Sequence, residues 1–381
     1  MPHRVALIKQ TSYEQKSLEA SIRRAVELTG FDLSSARGKC VLLKPNLLGA
    51  YPPSMGVTTH PHFVAAVGCI FKQAGAHVSV GDSPNGVHSI QKTWEVTGMR
   101  EVCRIHGFAE APFEASGSVE RAGLRIAKAL AQADMIINLP KFKTHGLTVL
   151  TLAVKNLFGC INGMQKSSIH RAHPDAYDFS EQVVRIADCV CPHFNIIDGI
   201  VAMEGDGPSG GNLIELGVIA AGQNMHFVDA ICCKLIGLSP KHLDTLAAAL
   251  QLKLLNDVED ILVVGDSMDE LRPPCFKLPS TYTHGMRDWW ISKLVMRIIW
   301  HNMSAQPVID ENLCKRCNLC VNACPVLAID EGEQDFAPKI NSEQCIQCFC
   351  CHEVCPHRAI QLRRSPLLKI WQWFADRRIR L

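Results

Sequence analysis

The sequence has almost no net charge: 39 lysines and arginines stand against 37 carboxylates, leaving +2 over 381 residues. Nucleic acid and other polyanions are held by concentrated basic charge, so this balance argues against such a partner. No apolar run reaches the roughly 20 residues that span a bilayer. The opening MPHRVALIKQ is too short and too charged for a secretory leader, and the chain is expected in the cytoplasm. G-x4-G-K-[ST] and H-E-x2-H are both missing, which removes the P-loop and the common zinc-protease signature. No C-x3-C-x2-C is present either, so nothing resembles a radical S-adenosylmethionine site.

Cysteine, by contrast, is plentiful, and nine of the 18 lie between residues 305 and 363. Cys314, Cys317, Cys320 and Cys324 follow C-x2-C-x2-C-x3-C and run into Pro325; Cys345, Cys348, Cys351 and Cys355 repeat the spacing before Pro356. In bacterial ferredoxins three close cysteines clamp three irons of a [4Fe–4S] cubane, and the fourth reaches the other cluster. The spacing therefore assigns Cys314, Cys317, Cys320 and Cys355 to one cluster. Cys345, Cys348, Cys351 and Cys324 take the second. Each proline ends a short helix and turns the fourth cysteine across. Structural zinc uses two C-x2-C knuckles on a longer loop, a poor match to two complete runs. Cys350 is left over; with Cys351 in the ligand slot, it is expected to pack as a small hydrophobe beside the cluster. The nine other cysteines read as reduced thiols and not as a disulfide framework.

Upstream, short β-branched runs alternate with amphipathic stretches: VALIKQ, a helix near 13–29, CVLLKPNLL, the helix FVAAVGCIFKQAG, HVSVGDSP, DMIINLPK and a predicted helix LTVLTLAVKNLF. The alternation predicts an α/β domain, a mostly parallel sheet with helices on both faces. Ligands of such sheets bind along the C-terminal edge of the strands. Polar residues collect there: Lys44 and Asn46, Asp82 and Ser83, then Lys141, Lys143 and His145. On the predicted helix Thr148, Thr151 and Lys155 form one polar stripe, with Asn156 alongside. Together they are candidates for binding a small anion. His145, with a pKa ordinarily near neutrality, is the acid–base candidate, and Lys155, if buried, a candidate base or nucleophile. The competing reading is a set of solvated lysines.

EGDGPSGG contains a literal G-x-G-x-x-G at Gly205, Gly207 and Gly210, but a strand-like run follows where a dinucleotide site needs a helix. A glycine-rich hairpin loop added to the sheet is the simpler expectation. Asp198, Glu204 and Asp206 are candidate ligands of a divalent cation.

KPNLL, TTHPHFVAAV, GDSP, PKFKTHGLTVLTLAVKNLFG and EGDGPSGG, followed by a ferredoxin pair, resemble the domain of unknown function 362 family over nearly the whole chain. The resemblance implies an iron–sulfur protein of mostly anaerobic chemistry and no settled substrate or catalytic residue.

The expected organisation is an α/β domain over 1–280, an amphipathic linker helix over 281–304, a small α+β two-cluster ferredoxin over 305–363 and a basic aromatic tail over 364–381. Trp289, Trp290 and Trp300 precede the ferredoxin, and Trp371 and Trp373 follow it. Residues 305–362 carry eight acidic and four basic side chains, and 363–381 one acidic and six basic. That contrast favours a tail docked on its own ferredoxin, a membrane surface being the alternative. The leading functional reading is an iron–sulfur oxidoreductase or subunit: the ferredoxin relays single electrons between a redox partner protein and an anionic small molecule at the strand-end edge. Its rivals are a non-catalytic carrier or assembly factor, and a ligand-binding enzyme with structural clusters.

Overall fold

The computed structural model describes residues 3–255, 261–282, 305–332 and 336–364. The expected linker helix and basic tail, with all five of their tryptophans, fall outside these residues except for 281, 282 and 364.

Thirteen strands precede the cysteine-rich part: β1 (Arg4–Lys9), β2 (Cys40–Pro45), β3 (His77–Val80), β4 (Ala109–Glu110), β5 (Ser118–Arg121), β6 (Leu124–Ala127), β7 (Met135–Leu139), β8 (Lys141–His145), β9 (Val149–Thr151), β10 (Phe194–Glu204), β11 (Asn212–Ile214), β12 (Val218–Gly222) and β13 (Leu262–Gly265). The main sheet runs β13-β1-β12-β10-β7-β2-β3-β4. Every neighbouring pair in it is parallel except the two that involve β12. Side chains alternate across the sheet with period two. Val5, Leu7, Leu42 and Ile136 join the core on one face, while Ala6, Ile8, Val41, Leu43 and Ile137 join that on the other. Helix Gln15–Thr29, its first N–H groups capped by the Glu14 carboxylate, and helix Pro61–Gln73 cover the second face. Helices Ala176–Val190 and Met225–Leu235 cover the first.

The chain leaves β2 for β3 and β4 on one side, then returns to lay β7 on the other side of β2. Sheets of this kind open a crevice at such a reversal, outside the strands' carboxyl ends. β2, β3 and β7 bring their C-terminal ends to this point.

The predicted helix LTVLTLAVKNLF does not form. Instead β8 turns back as β9, pairing Lys143 with Thr151 and His145 with Val149, and only Ala153–Asn156 is α-helical. Val149 carries the turn at φ 65°, and the β-branched Thr148, Val149 and Thr151 suit a strand better than a helix. EGDGPSGG is the expected hairpin loop, joining β10 to β11 in antiparallel register.

In the cysteine-rich part β14 (Gln306–Ile309) pairs antiparallel with β17 (Ile360–Arg363), and β15 (Ile329–Asp330) with β16 (Lys339–Ile340). Each half adds one short helix, Leu319–Ala323 or Cys350–Val354. The halves match in backbone detail: Arg316 and Gln347, Asn318 and Phe349, and Leu327 and Arg358 all take left-handed φ between 53° and 61°. The module packs on the α/β domain. Tyr51 Oη donates to Glu353 O at 2.9 Å, Ser209 Oγ to His352 O at 3.1 Å and Arg364 Nε to Ser280 O at 2.8 Å. His352 spans the joint, one ring nitrogen on Ile360 O and the other on Asp206 O in the hairpin loop.

Candidate functional site

The thiols of the cysteine-rich part lie close to one another. Burial, then the thiols of Cys355, Cys317 and Cys314, pushes Cys320 up to about 11. Burial and the thiols of Cys348, Cys345, Cys320 and Cys324 push Cys351 far above its usual range. Such crowding disfavours free thiolates and is relieved when iron holds them. Backbone N–H groups of Arg316, Ala328 and Ala359 donate to the sulfurs of Cys314, Cys324 and Cys355 at 3.2–3.4 Å. The donor set fits iron–sulfur ligation. Cys350 is buried and its thiol hydrogen-bonds to Cys348.

A cavity of about 80 Å³ lies between this module and the strand-end crevice. The α/β domain contributes Lys44, Lys143, His145, Thr151, Lys155 and Lys166; the cysteine-rich module contributes Ala323, Cys350 and Glu353. Asn46, Asp82, Ser83, Asn85, Asn156, Ser167 and His170 complete the polar lining.

The base of the cavity is an asparagine network on the strand ends. Asn156 Nδ2 donates to Asn138 Oδ1 at 2.8 Å, and Asn46 Nδ2 donates to Asn156 Oδ1 at 2.9 Å. Lys44 Nζ lies 2.6 Å from Asp82 Oδ1, both side chains buried. Gly159 makes room for that pair, since a Cβ there would sit 2.5 Å from Asp82 Oδ1. Lys143, buried, donates to Val57 O at 2.6 Å, and burial pushes its ammonium down to about 7. Lys166 donates to both oxygens of Ser83 and to Pro84 O, and burial pushes it down to about 8. The partly buried Lys155 ammonium lies 4.7 Å from the Phe158 ring centre and 5.6 Å from that of Phe179. Its short helix is held by Asp229, whose carboxylate accepts from Ala153 N at 2.7 Å and Val154 N at 3.0 Å.

His145 Nδ1 accepts the backbone N–H groups of Leu147 and Thr148, so the ring proton belongs on Nε2. Nε2 faces Glu353 Oε1 at 2.9 Å. Burial lowers the proton affinity of the imidazole, and burial works against the Glu353 carboxylate too, but His145, Lys155 and His170 hold that carboxylate down at about 2. The acid–base candidate is thus a positioned link to the cysteine-rich module.

Two expected members stand elsewhere. Lys141 Nζ is bound to Asp198 at 2.8 Å and to Tyr13 Oη at 2.9 Å, because bulged β8 runs on beside β10 instead of ending at the crevice. Thr148 turns inward on Leu150 O. The cation candidates do not converge: Asp198 binds Lys141, Glu204 accepts from Lys277 N and Asp206 from Ser280 N. Among the described residues no three carboxylate, imidazole or thiol groups gather around a single metal ion. Sequence reading missed Lys166, His170 and Glu353. Glu353 had one available signal, a carboxylate set between two cluster cysteines.

Residues 41–234 match the family model described as domain of unknown function (DUF362), and residues 306–356 match a 4Fe-4S dicluster domain. Thylakoid-associated protein sll1697 of Synechocystis sp. is 35% identical over 281 residues, covering 72% of this chain and 87% of that one. The lactate racemase apoprotein of Thermoanaerobacterium thermosaccharolyticum aligns over 58% of this chain at 15% identity and a TM-score of 0.39. A Thermotoga maritima protein aligns over 51% at 12% and 0.32. The chain spans 54% and 52% of those two structures. Among the described residues no helix is long and apolar enough to cross a membrane.

Proposed function

The chain belongs to the DUF362 family and carries a 4Fe-4S dicluster domain, and from that premise we propose an iron–sulfur redox protein that exchanges single electrons with an anionic small molecule in the shared cavity. The observation that carries this reading is the composition of the cavity wall: lysines of the α/β domain face Cys350 and Glu353 of the cysteine-rich module. Two [4Fe–4S] clusters, on Cys314, Cys317, Cys320 and Cys355 and on Cys345, Cys348, Cys351 and Cys324, supply or accept one electron at a time. Lys143 and Lys155 hold the anion, Lys44, Asn46 and Asn156 shape the floor, and Glu353 with His145 keeps the module seated on the cavity. An outside redox partner protein exchanges electrons with the module, in the cytoplasm.

The test is anaerobic. Oxyanions should stabilise the wild type in thermal unfolding, since a ligand bound only by the native state adds RT ln(1 + [L]/Kd), about 2.7 kcal/mol at a hundredfold excess. Lys155→Met should remove most of that shift while iron content stays constant. An unchanged response in both Lys155→Met and Lys143→Met would remove these residues from any anion site. A retained small molecule in the purified protein would count against a pure carrier.

The name of the thylakoid-associated relative supports a second reading of location, in which the basic residues of 363–381 bring the chain to an anionic membrane surface. Binding of the intact chain to anionic vesicles, lost on deleting 366–381, would establish it. Its absence leaves the docked-tail reading.

A further inference from the structure

We propose that the cavity selects a small dianion, a group of about half a dozen heavy atoms bearing two negative charges. Phosphate, sulfate and short dicarboxylates share this chemistry. The inference rests on the ligand reading above and goes beyond it by assigning charge and size.

Charge comes first. Four ammonium groups line the cavity, Lys44, Lys143, Lys155 and Lys166, against the two carboxylates of Asp82 and Glu353. With the imidazoles neutral and all four lysines protonated, two positive charges are left. The donors open to a ligand can be located. Lys44 is matched by Asp82 at 2.6 Å. Lys166 directs its donors at three oxygens, Ser83 O, Ser83 Oγ and Pro84 O. Lys143 has a single carbonyl, Val57 O, and Lys155 has only the faces of Phe158 and Phe179. An ammonium group has three donors, so these two retain donors that a ligand can take up. Glu353 lies within electrostatic reach of both and offsets part of their charge, but its contact is with His145 at 2.9 Å, so it leaves these donors open. Isolated charge is costly to bury, and an anion touching both lysines removes that cost.

Size comes second. The cavity of about 80 Å³ holds roughly five to eight water-sized spheres at about 10–15 Å³ each. That admits phosphate or a short dicarboxylate as a whole. Thr151 Oγ1 and His170 Nδ1, on residues of the same lining, are buried without a protein partner, so the wall retains polar capacity.

The experiment uses the full-length protein, anaerobic and iron-loaded, in calorimetric titrations at fixed ionic strength. Sulfate, phosphate and malonate are compared with nitrate and acetate. Sulfate also stabilises proteins by exclusion from their surface, but that effect does not saturate, so a saturable isotherm is required. The dianions should bind at least tenfold more tightly than the monoanions, and Lys143→Met should bring the two classes within about threefold of each other. Nitrate binding within twofold of sulfate in the wild type overturns this inference and leaves the anion reading intact. No saturable binding of any anion overturns both. The wild-type comparison decides the matter even if Lys143→Met fails to fold, which iron content and circular dichroism report.

Discussion

Cys350 and Cys351 are adjacent, both thiols and both buried, yet they have different surroundings. Cys351 is crowded by the thiols of Cys348, Cys345, Cys320 and Cys324, whereas Cys350 lines the cavity and bonds to Cys348. The anaerobic protein should contain about eight irons, two cubanes of four. Cys351→Ser should lower that content, and Cys350→Ser should leave it unchanged; equal losses would invalidate the ligand assignment. A second prediction concerns protons. Lys143 and Lys166, pushed down by burial to about 7 and about 8, bind an anion only in their ammonium forms. Sulfate stays doubly charged throughout, so its affinity should rise as pH falls from about 9 to about 6, by roughly tenfold for each 1.4 kcal/mol of added attraction. An affinity flat across that window would remove both lysines from the site.

Among the elements, the β8–β9 turn and the short helix after it matter most, because together they deliver Thr151 and Lys155 to the cavity. Four residues are too few for a helix to persist alone. Asp229 supplies what Ala153–Asn156 lacks, two acceptors for its first N–H groups. The buried carboxylate is pushed up to about 7, so burial opposes its charge while the two N–H groups favour it. Asp229→Ala should cost about 1–3 kcal/mol in chemical unfolding, because two buried donors lose their partner. It should also weaken sulfate binding, although Asp229 is not among the residues lining the cavity. Unfolding at wild-type denaturant concentration with unaltered sulfate affinity would contradict this positioning role.

Across the whole molecule, the cavity and the cysteine-rich module share a wall, so an added electron and a bound anion place like charges on either side of Cys350. Coupling between sites is reciprocal and typically changes affinity about 5- to 150-fold. The dithionite-reduced protein should therefore bind sulfate at least about fivefold more weakly than the oxidised protein. Saturating sulfate should lower the midpoint potential measured by optical titration. Equal affinity in both redox states would mean that the module and the cavity are electrostatically independent.

Local spacing alone determined the two cysteine runs, since each lies within a dozen residues and its pattern is written in the intervals between the cysteines. The parallel sheet was equally legible, because each strand's run of β-branched residues and each helix's periodicity is a short-range property. The segment from Thr148 to Asn156 was not. Its apolar and hydroxyl residues satisfy a helical period and a strand alternation alike, and pairing of Lys143 with Thr151 chose between them. Lys141 and Lys143 differ by two positions and were indistinguishable as lysines at a strand end. Only the tertiary structure gave one an aspartate across the sheet and the other an open cavity. Glu353 reaches His145 across 208 positions of sequence. Contacts of that separation depend on how two domains dock, a choice made by shape and charge over a whole surface and therefore invisible to any local pattern.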